Sequence, residues 1–172
     1  MKKSDIQKMP AYFDRYINLV EDIDLTEALE KYGPNYFEKE KTTLEKLGDN
    51  VYAPGKWTVK DIIQHLIDAE RIFCYRALRF ARNDKTTLQG FEEDHYAANT
   101  NVKNRSLNDL LEEFKLVRQS TIALFKSFDE EALHRTGTSF NTEVSALALG
   151  FTMTGHPIHH MKVLKEKYFS LV

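Results

Sequence analysis

Three of the six histidines lie within five positions near the end of the chain, in Gly155-His156-Pro157-Ile158-His159-His160. On an α-helix, residues four apart share a face, so His156 and His160 point the same way and His159 is rotated to one side. The pair falls on an apolar stripe that a helix here must bury, formed by Leu149, Met153, Val163 and Leu164. We therefore expect both rings to face the interior, where their nitrogens need partners.

A metal ion is one possible partner, and backbone groups or water are the other. A buried histidine pair alone is more often structural than metal-binding, because ordinary hydrogen bonds also satisfy imidazole. A third ligand changes that balance, and His65 is the candidate. It lies on the flank of an apolar stripe, although a lone flank histidine is again more often structural. Its neighbours on the helical wheel could orient the imidazole or line a small polar pocket, and they are Asp61, Asp68 and Arg76.

Three histidine ligands would leave a coordination position open, as in catalytic zinc sites. Imidazole ligands suit Zn, Ni, Cu or Fe(II) and do not rank them. The predicted long helices carry no Glu-x-x-His motif, which argues against a di-iron carboxylate bundle. His95 and His134 are predicted to be solvated loop residues outside the helices, although His95 could reach a pocket.

The elements that must position these residues are helices. Seven Gly and four Pro in 172 residues are few for an all-β domain, and long segments space apolar residues three to four apart. The sequence predicts a short helix near 10–19 and a first long helix over 25–46, interrupted near Gly33-Pro34. A second long helix is predicted over 58–81, with Thr58 and Asp61 as its cap. A third runs from Ser106 to about Phe128, and after a turn at 129–133 a fourth covers 143–168.

A polar link over residues 84–104 separates the second and third long helices. Links of this length in compact domains tend to cross the fold or to serve function. The sequence therefore predicts an all-α four-helix bundle that is not simply up-down-up-down. We expect one domain over 1–172, with a core over about 25–170 and residues 1–24 packing on it as an extension. Pro157 either bends the fourth helix at the histidine pair or begins a new helix there.

Composition excludes several classes of protein. A net charge of −2 without a basic stripe argues against nucleic acid as a partner. No run of about 18 apolar residues could cross a membrane, and no secretory signal is visible. The single cysteine, Cys74, cannot form an internal disulfide and is predicted to be a buried thiol. The expected location is the cytoplasm.

The aromatic stretch at Tyr12, Phe13 and Tyr16 could be core or a dimer interface.

Two segments carry a family resemblance. Trp57-Thr58-Val59-Lys60-Asp61-Ile62-Ile63-Gln64-His65-Leu66-Ile67-Asp68-Ala69-Glu70-Arg71 and Gly155-His156-Pro157-Ile158-His159-His160 resemble the two signatures of the DinB/YfiT-like superfamily. The resemblance covers roughly residues 25–170. It implies an up-down-down-up four-helix bundle with a long crossover link between helices 2 and 3, and a metal triad of His65, His156 and His160. It also implies Zn²⁺ or Ni²⁺ as the usual ion and a homodimer as a common state.

Two classes of function follow. The first is a metal-dependent transferase or hydrolase in which one divalent ion activates a small thiol or water. The resemblance brings both activities, including S-transfer with bacillithiol, mycothiol or glutathione. Glu70, although part of the signature, points away from His65 and is expected to make a structural contact. The alternative is a non-catalytic bundle with a structural metal, acting as a small-molecule-binding or dimerisation module. Catalytic and cofactor-binding residues other than the metal ligands are not predicted.

Overall fold

The computed structural model describes residues 1–172, and helices make up most of the chain. A two-stranded sheet interrupts them late in the sequence. The elements are α1 Asp14–Ile17, α2 Leu25–Lys31, α3 Asn35–Glu38, α4 Lys41–Leu47, α5 Val59–Ala81, α6 Glu93–Ala98, α7 Leu107–Lys126, α8 Glu130–His134, β1 Thr136–Ser139, β2 Thr142–Ser145 and α9 Ala146–Val163. Single helical turns cover Lys3–Asp5, Val102–Asn104, Leu164–Tyr168 and Phe169–Leu171.

The long helices pack as a bundle. Helix α5 contacts both α7 and α9, and α2 also contacts both of them. Two clusters of buried apolar side chains fill the interior, one of 24 residues and one of 16. The prediction of a mostly helical bundle is confirmed at this level.

The predicted first long helix is three short helices. The interruption at Gly33-Pro34 is confirmed, because α2 ends at Lys31 and Pro34 is the N-cap of α3. A second break between α3 and α4 was not predicted, since residues 35–47 contain neither glycine nor proline. The prediction of a single interruption over 25–46 is therefore wrong, because the segment is broken twice.

The starts of α5 and α7 agree with the prediction. Thr58 and Asp61 form a reciprocal capping box at α5, and Ser106 and Asp109 form another at α7. Helix α5 stops at Ala81, and Asn83 adopts a left-handed backbone with φ of 59° that no helix can continue through. The local signals thus predict both ends of the helix that carries His65 to within one residue.

The predicted start of the fourth long helix near residue 143 is wrong, because a β-hairpin occupies residues 136–145. Strands β1 and β2 pair antiparallel, with Ser139 opposite Thr142. Phe140 and Asn141 both have positive φ, at 51° and 57°, which is the backbone of a tight type I′ turn. The sequence lacks the usual Asn-Gly signal, so the turn was missed, and α9 begins only at Ala146.

The link between α5 and α7 contains structure of its own. Helix α6 occupies its middle and contacts α5. His95 therefore lies in a helix rather than a loop, and His134 is the last residue of α8. The prediction that both histidines fall outside helices is wrong, because six- and five-residue helices are too short to show an apolar period. His95 is exposed as predicted, whereas His134 is half-buried.

Helix α9 continues through Pro157 without a break, so the alternative that a new helix begins there is wrong. Proline lacks an N–H and leaves the carbonyl four residues earlier, on Met153, without its helical donor. Arg118 of α7 takes that role, because its Nη2 donates to the Met153 carbonyl at 3.2 Å. Whether Pro157 bends the helix stays a prediction.

Residues of the N-terminal extension bury side chains in the larger cluster. Phe13 and Ile17 are buried there, whereas Tyr12 is partly exposed. Helix α1 approaches α9 so closely that a Cβ on Gly155 would lie 2.0 Å from the Tyr16 carbonyl oxygen. Glycine at this position therefore lets the extension cross α9 beside the histidine pair. The division of the chain into one domain and an extension stays a prediction.

No helix combines the length and apolar character that crossing a membrane requires.

Cys74 is partly buried, with its Sγ 3.1 Å from the Thr121 hydroxyl oxygen. Burial raises the pKa of the Cys74 thiol to about 11, so the thiol is protonated at neutral pH.

Candidate metal centre

The structure brings the three predicted histidines to one point between α5 and α9. The Nε2 atom of His156 lies 3.1 Å from that of His65 and 3.0 Å from that of His160. One ligand atom from each ring lies within 4.8 Å of the others. The i, i+4 spacing on α9 places two of these nitrogens one turn apart, and His65 faces them from α5.

The donor set fits a divalent ion. Zinc–nitrogen bonds of about 2.0–2.1 Å in a tetrahedral site place two ligand nitrogens roughly 3.3 Å apart, close to the 3.1 and 3.0 Å found for the two pairs that share His156. The ring planes of His65 and His156 cross at 87°, and those of His156 and His160 at 62°, so the nitrogens converge and the rings do not stack. None of the three Nε2 atoms has a carbonyl or carboxylate partner.

Burial keeps these imidazoles neutral. It lowers the pKa of His65 to about 4, and it lowers the pKa of His156 and of His160 well below the usual value, with a further lowering by the neighbouring histidines. A neutral imidazole offers a lone pair, which is the form that a metal ion binds. At pH 7 the cluster therefore has three nitrogens available for coordination.

Aromatic side chains surround the histidines. The Trp57 ring centroid lies 4.8 Å from that of His65, and the Tyr16 ring lies 5.0 Å from His156 and 5.4 Å from His159. The Tyr168 hydroxyl donates to the Trp57 carbonyl at 2.8 Å and fixes the chain just before α5. These rings exclude water from most of the cluster, and sequence reasoning assigned them no role at the site.

One side of the cluster opens onto a cleft of about 270 Å³, which we call the metal cleft. His160 lines it, while His65 and His156 are only 6% and 5% exposed. Asp94 of α6 also lines it and acts electrostatically on His65, opposing the lowering of that pKa. Sequence reasoning missed Asp94, since only the length of the link indicated function there.

The other sequence candidates lie elsewhere. Asp61 caps α5, and Asp68 accepts a hydrogen bond from Gln64 at 2.9 Å. Neither carboxylate, nor Arg76, hydrogen-bonds a histidine, so the alternative that they orient the imidazole is wrong. The other alternative, that they line a pocket, holds for Arg76 alone. Arg76 lines a cleft other than the metal cleft.

Glu70 makes the structural contact that was expected of it. Its carboxylate accepts two hydrogen bonds from Arg118, each of 2.7 Å, and both side chains are 3% exposed. The Thr121 hydroxyl donates to the same carboxylate at 2.6 Å. Glu70 therefore belongs to a buried network between α5 and α7, and it hydrogen-bonds none of the three histidines.

Comparison with known proteins agrees with this geometry. The structure of YfiT from Bacillus subtilis, described as a probable metal-dependent hydrolase with an unusual four-helix bundle topology, is similar to this chain with a TM-score of 0.66 and 16% identity over 90% of this chain and 86% of YfiT. That similarity shows the four-helix bundle fold. No curated protein matches the chain. The model of the DinB superfamily matches residues 12–164, and the chain therefore belongs to the DinB superfamily.

Proposed function

We propose that the protein is a metal-dependent enzyme of the hydrolase or S-transferase type, with one divalent ion held by His65, His156 and His160. The observation that carries the proposal is the convergence of three neutral imidazole nitrogens, without other partners, beside an open cleft. The description of YfiT as a probable metal-dependent hydrolase supports it.

The ion would supply Lewis acidity, which lowers the pKa of a water or thiol in its open position. The chain's own residues do the rest. The three rings hold their nitrogens in place because both helices are packed into the core. His160 and Asp94 both line the metal cleft, and the Asp94 carboxylate would be the proton acceptor there.

Several finer features belong to the same proposal. We expect Zn²⁺ or Ni²⁺, since imidazole suits both ions. We expect the up-down-down-up order, because the link over residues 82–106 is long enough to return the chain along the bundle. A homodimer and a small-molecule or thiol substrate stay predictions.

A structural metal in a non-catalytic bundle is the second candidate. The near-complete burial of His65 and His156 favours it, since an ion there would hold α5 against α9. The two candidates respond differently to chelation. A structural ion should lower the melting temperature strongly when removed, whereas a catalytic ion should cost activity with a smaller loss of stability.

Metal analysis tests the proposal. We expect about one equivalent of metal in the purified protein and its loss in His160→Ala, with retention in His159→Ala as the matched control. Activity is measured with a chromogenic ester and, separately, with a small thiol plus an electrophilic aromatic halide. Stoichiometric metal that persists in His160→Ala would refute the ligand assignment, and full activity after chelation would refute the catalytic role.

A further inference from the structure

A second cleft, of about 250 Å³, adjoins the metal cleft, and Asp94 lines both of them. We call it the aromatic cleft because every apolar residue in its lining carries an aromatic ring. These residues are Tyr12, Phe13, Phe73, Phe91 and Phe140. Flat rings on several sides favour a ligand that is itself flat and apolar over much of its surface.

The aromatic cleft contains a buried arginine without a carboxylate partner. Arg76 is 4% exposed, and its guanidinium makes one hydrogen bond, from Nη2 to the Gln89 carbonyl at 2.8 Å. Burial lowers the pKa of Arg76, and Tyr96 is the only titratable side chain that opposes this lowering. Arg118 is buried to the same degree but is matched by Glu70. The Arg76 guanidinium carbon lies 5.6 Å from the Phe73 ring centroid and 5.9 Å from the Phe91 ring centroid, which offsets part of the cost of burial. A buried cation without an anion is still costly, so an anionic ligand group beside Arg76 would be favourable.

Two residues of the cleft wall have strained backbones. Tyr12 and Phe140 have positive φ, at 72° and 51°, and their ring centroids lie 5.3 Å apart. The hairpin turn accounts for the conformation of Phe140, whereas that of Tyr12 is rare for a bulky residue, and such strain concentrates at ligand sites. Gly90 makes room for the Phe140 ring, because a Cβ there would lie 2.7 Å from Cδ2 of Phe140. The two rings contact each other in the lining of the cleft.

The mouth of the aromatic cleft is acidic. Glu92, Glu93 and Asp94 line it and are exposed, and none of them forms an ion pair. Arg15 is the one cation that acts on Glu93. A simple anion would be repelled at this mouth, and a simple cation would be repelled by Arg76. The charges on the lining therefore match a ligand that carries both signs.

We propose that the aromatic cleft binds a small aromatic zwitterion, of the aromatic amino-acid class. Its carboxylate pairs with the Arg76 guanidinium, its ring lies among Phe13, Phe73 and Phe91, and its ammonium group faces the carboxylates at the mouth. This site does not depend on the metal ion. Its position beside Asp94 places the ligand next to the metal cleft.

Calorimetric titration with three matched probes tests each charge. L-phenylalanine carries both charges, 3-phenylpropionate lacks the ammonium group, and 2-phenylethylamine lacks the carboxylate. We expect L-phenylalanine to bind at least about tenfold more tightly than either of the others, because each of them lacks one of the two charged contacts. L-alanine, which lacks the ring, should bind weakest.

Variants assign the contacts. Arg76→Gln should lower affinity for L-phenylalanine at least about tenfold and raise that for 2-phenylethylamine, whose ammonium group Arg76 repels. Arg79→Gln, on the same helix but paired with Asp84, should leave every affinity unchanged. Arg76→Lys keeps the buried charge and is the variant to compare if Arg76→Gln does not fold. The His160→Ala variant should bind L-phenylalanine normally, which separates this site from the metal.

Three results would overturn the proposal. The first is an unchanged affinity for L-phenylalanine in Arg76→Gln. The second is equal binding of L-phenylalanine and 3-phenylpropionate, which would show that the acidic mouth selects nothing. The third is absence of binding by L-phenylalanine at millimolar concentration to a folded protein.

Discussion

Because Arg118 donates to the Met153 carbonyl, the stability lost on replacing Arg118 should depend on whether residue 157 is proline. In the native chain this arginine neutralises Glu70 and also supplies the donor that Pro157 lacks. Replacing it with methionine leaves a buried carboxylate unpaired, which costs about 3–5 kcal/mol. In a Pro157→Ala background, the alanine N–H can donate to Met153 through the helix itself.

The difference between the two backgrounds isolates the hydrogen bond. A bond from a charged donor contributes about 1.5–3 kcal/mol, so we expect Arg118→Met to cost about 1–2 kcal/mol less with Pro157→Ala than without it. With a urea m-value of about 2 kcal/mol/M, in the middle of the usual range, this coupling shifts the relative midpoints by roughly 0.5–1 M. Arg118→Lys serves as the milder variant, because its single nitrogen keeps a charge near Glu70 but cannot form all of these bonds.

Urea unfolding of the four chains, with equal m-values, provides the measurement. Thr121→Val is the control, because it removes a partner of Glu70 without touching Met153, and it should cost the same in both backgrounds. Additive effects of Arg118→Met and Pro157→Ala would refute the idea that the arginine replaces the missing helical donor.

Three further predictions concern stability. The metal-free protein should lose about 1.5 kcal/mol of stability between pH 6.5 and 5 from His65 alone, because its folded pKa of about 4 lies below the unfolded value of 6.5 and the unfolded chain binds the proton first. The free energy of unfolding of a His65→Gln variant, measured with urea at each pH, should depend less on pH, and an equal pH dependence would contradict this. Ser139→Ala should stabilise the protein by about 1 kcal/mol in thermal unfolding, since the buried Ser139 hydroxyl has no hydrogen-bond partner, and a lower melting temperature would count against this account. Gly155→Ala should lower the free energy of unfolding more than Gly150→Ala does. The new Cβ at 155 meets the Tyr16 backbone, whereas the one at 150 meets side-chain ends that can move. Equal losses of stability would show that the N-terminal extension shifts freely.

Local signals predicted the parts of the fold that depend on a few neighbouring residues. The capping box at Thr58 and the i, i+4 spacing of His156 and His160 need only the chain within one or two helical turns. The convergence of His65 on that pair was suggested by its apolar stripe and strengthened by the resemblance. These elements could be predicted because helical geometry fixes which residues share a face.

Long-range packing decided what the sequence did not reveal. The turn at Phe140-Asn141 has the backbone of a glycine-rich turn without the glycine, and the fold holds it there through contact of Phe140 with Tyr12. Asp94 reaches the metal cleft only because the short helix α6 docks on α5. Such placements come from contacts between segments far apart in sequence, which no local pattern encodes.

The buried network explains why the two signature segments belong together. His65 and Glu70 are five residues apart on α5 and are thus rotated by about 140° from each other, so one faces the histidine pair and the other faces α7. Glu70 binds Arg118, and Arg118 donates to the Met153 carbonyl, which lacks its helical donor because Pro157 lies between the two histidines of α9. An arginine outside both segments therefore links the geometry of one to the other. If this link keeps His156 and His160 aligned, Arg118→Lys should weaken metal binding although it touches no ligand, and unchanged affinity in a folded variant would show that α9 holds the pair unaided.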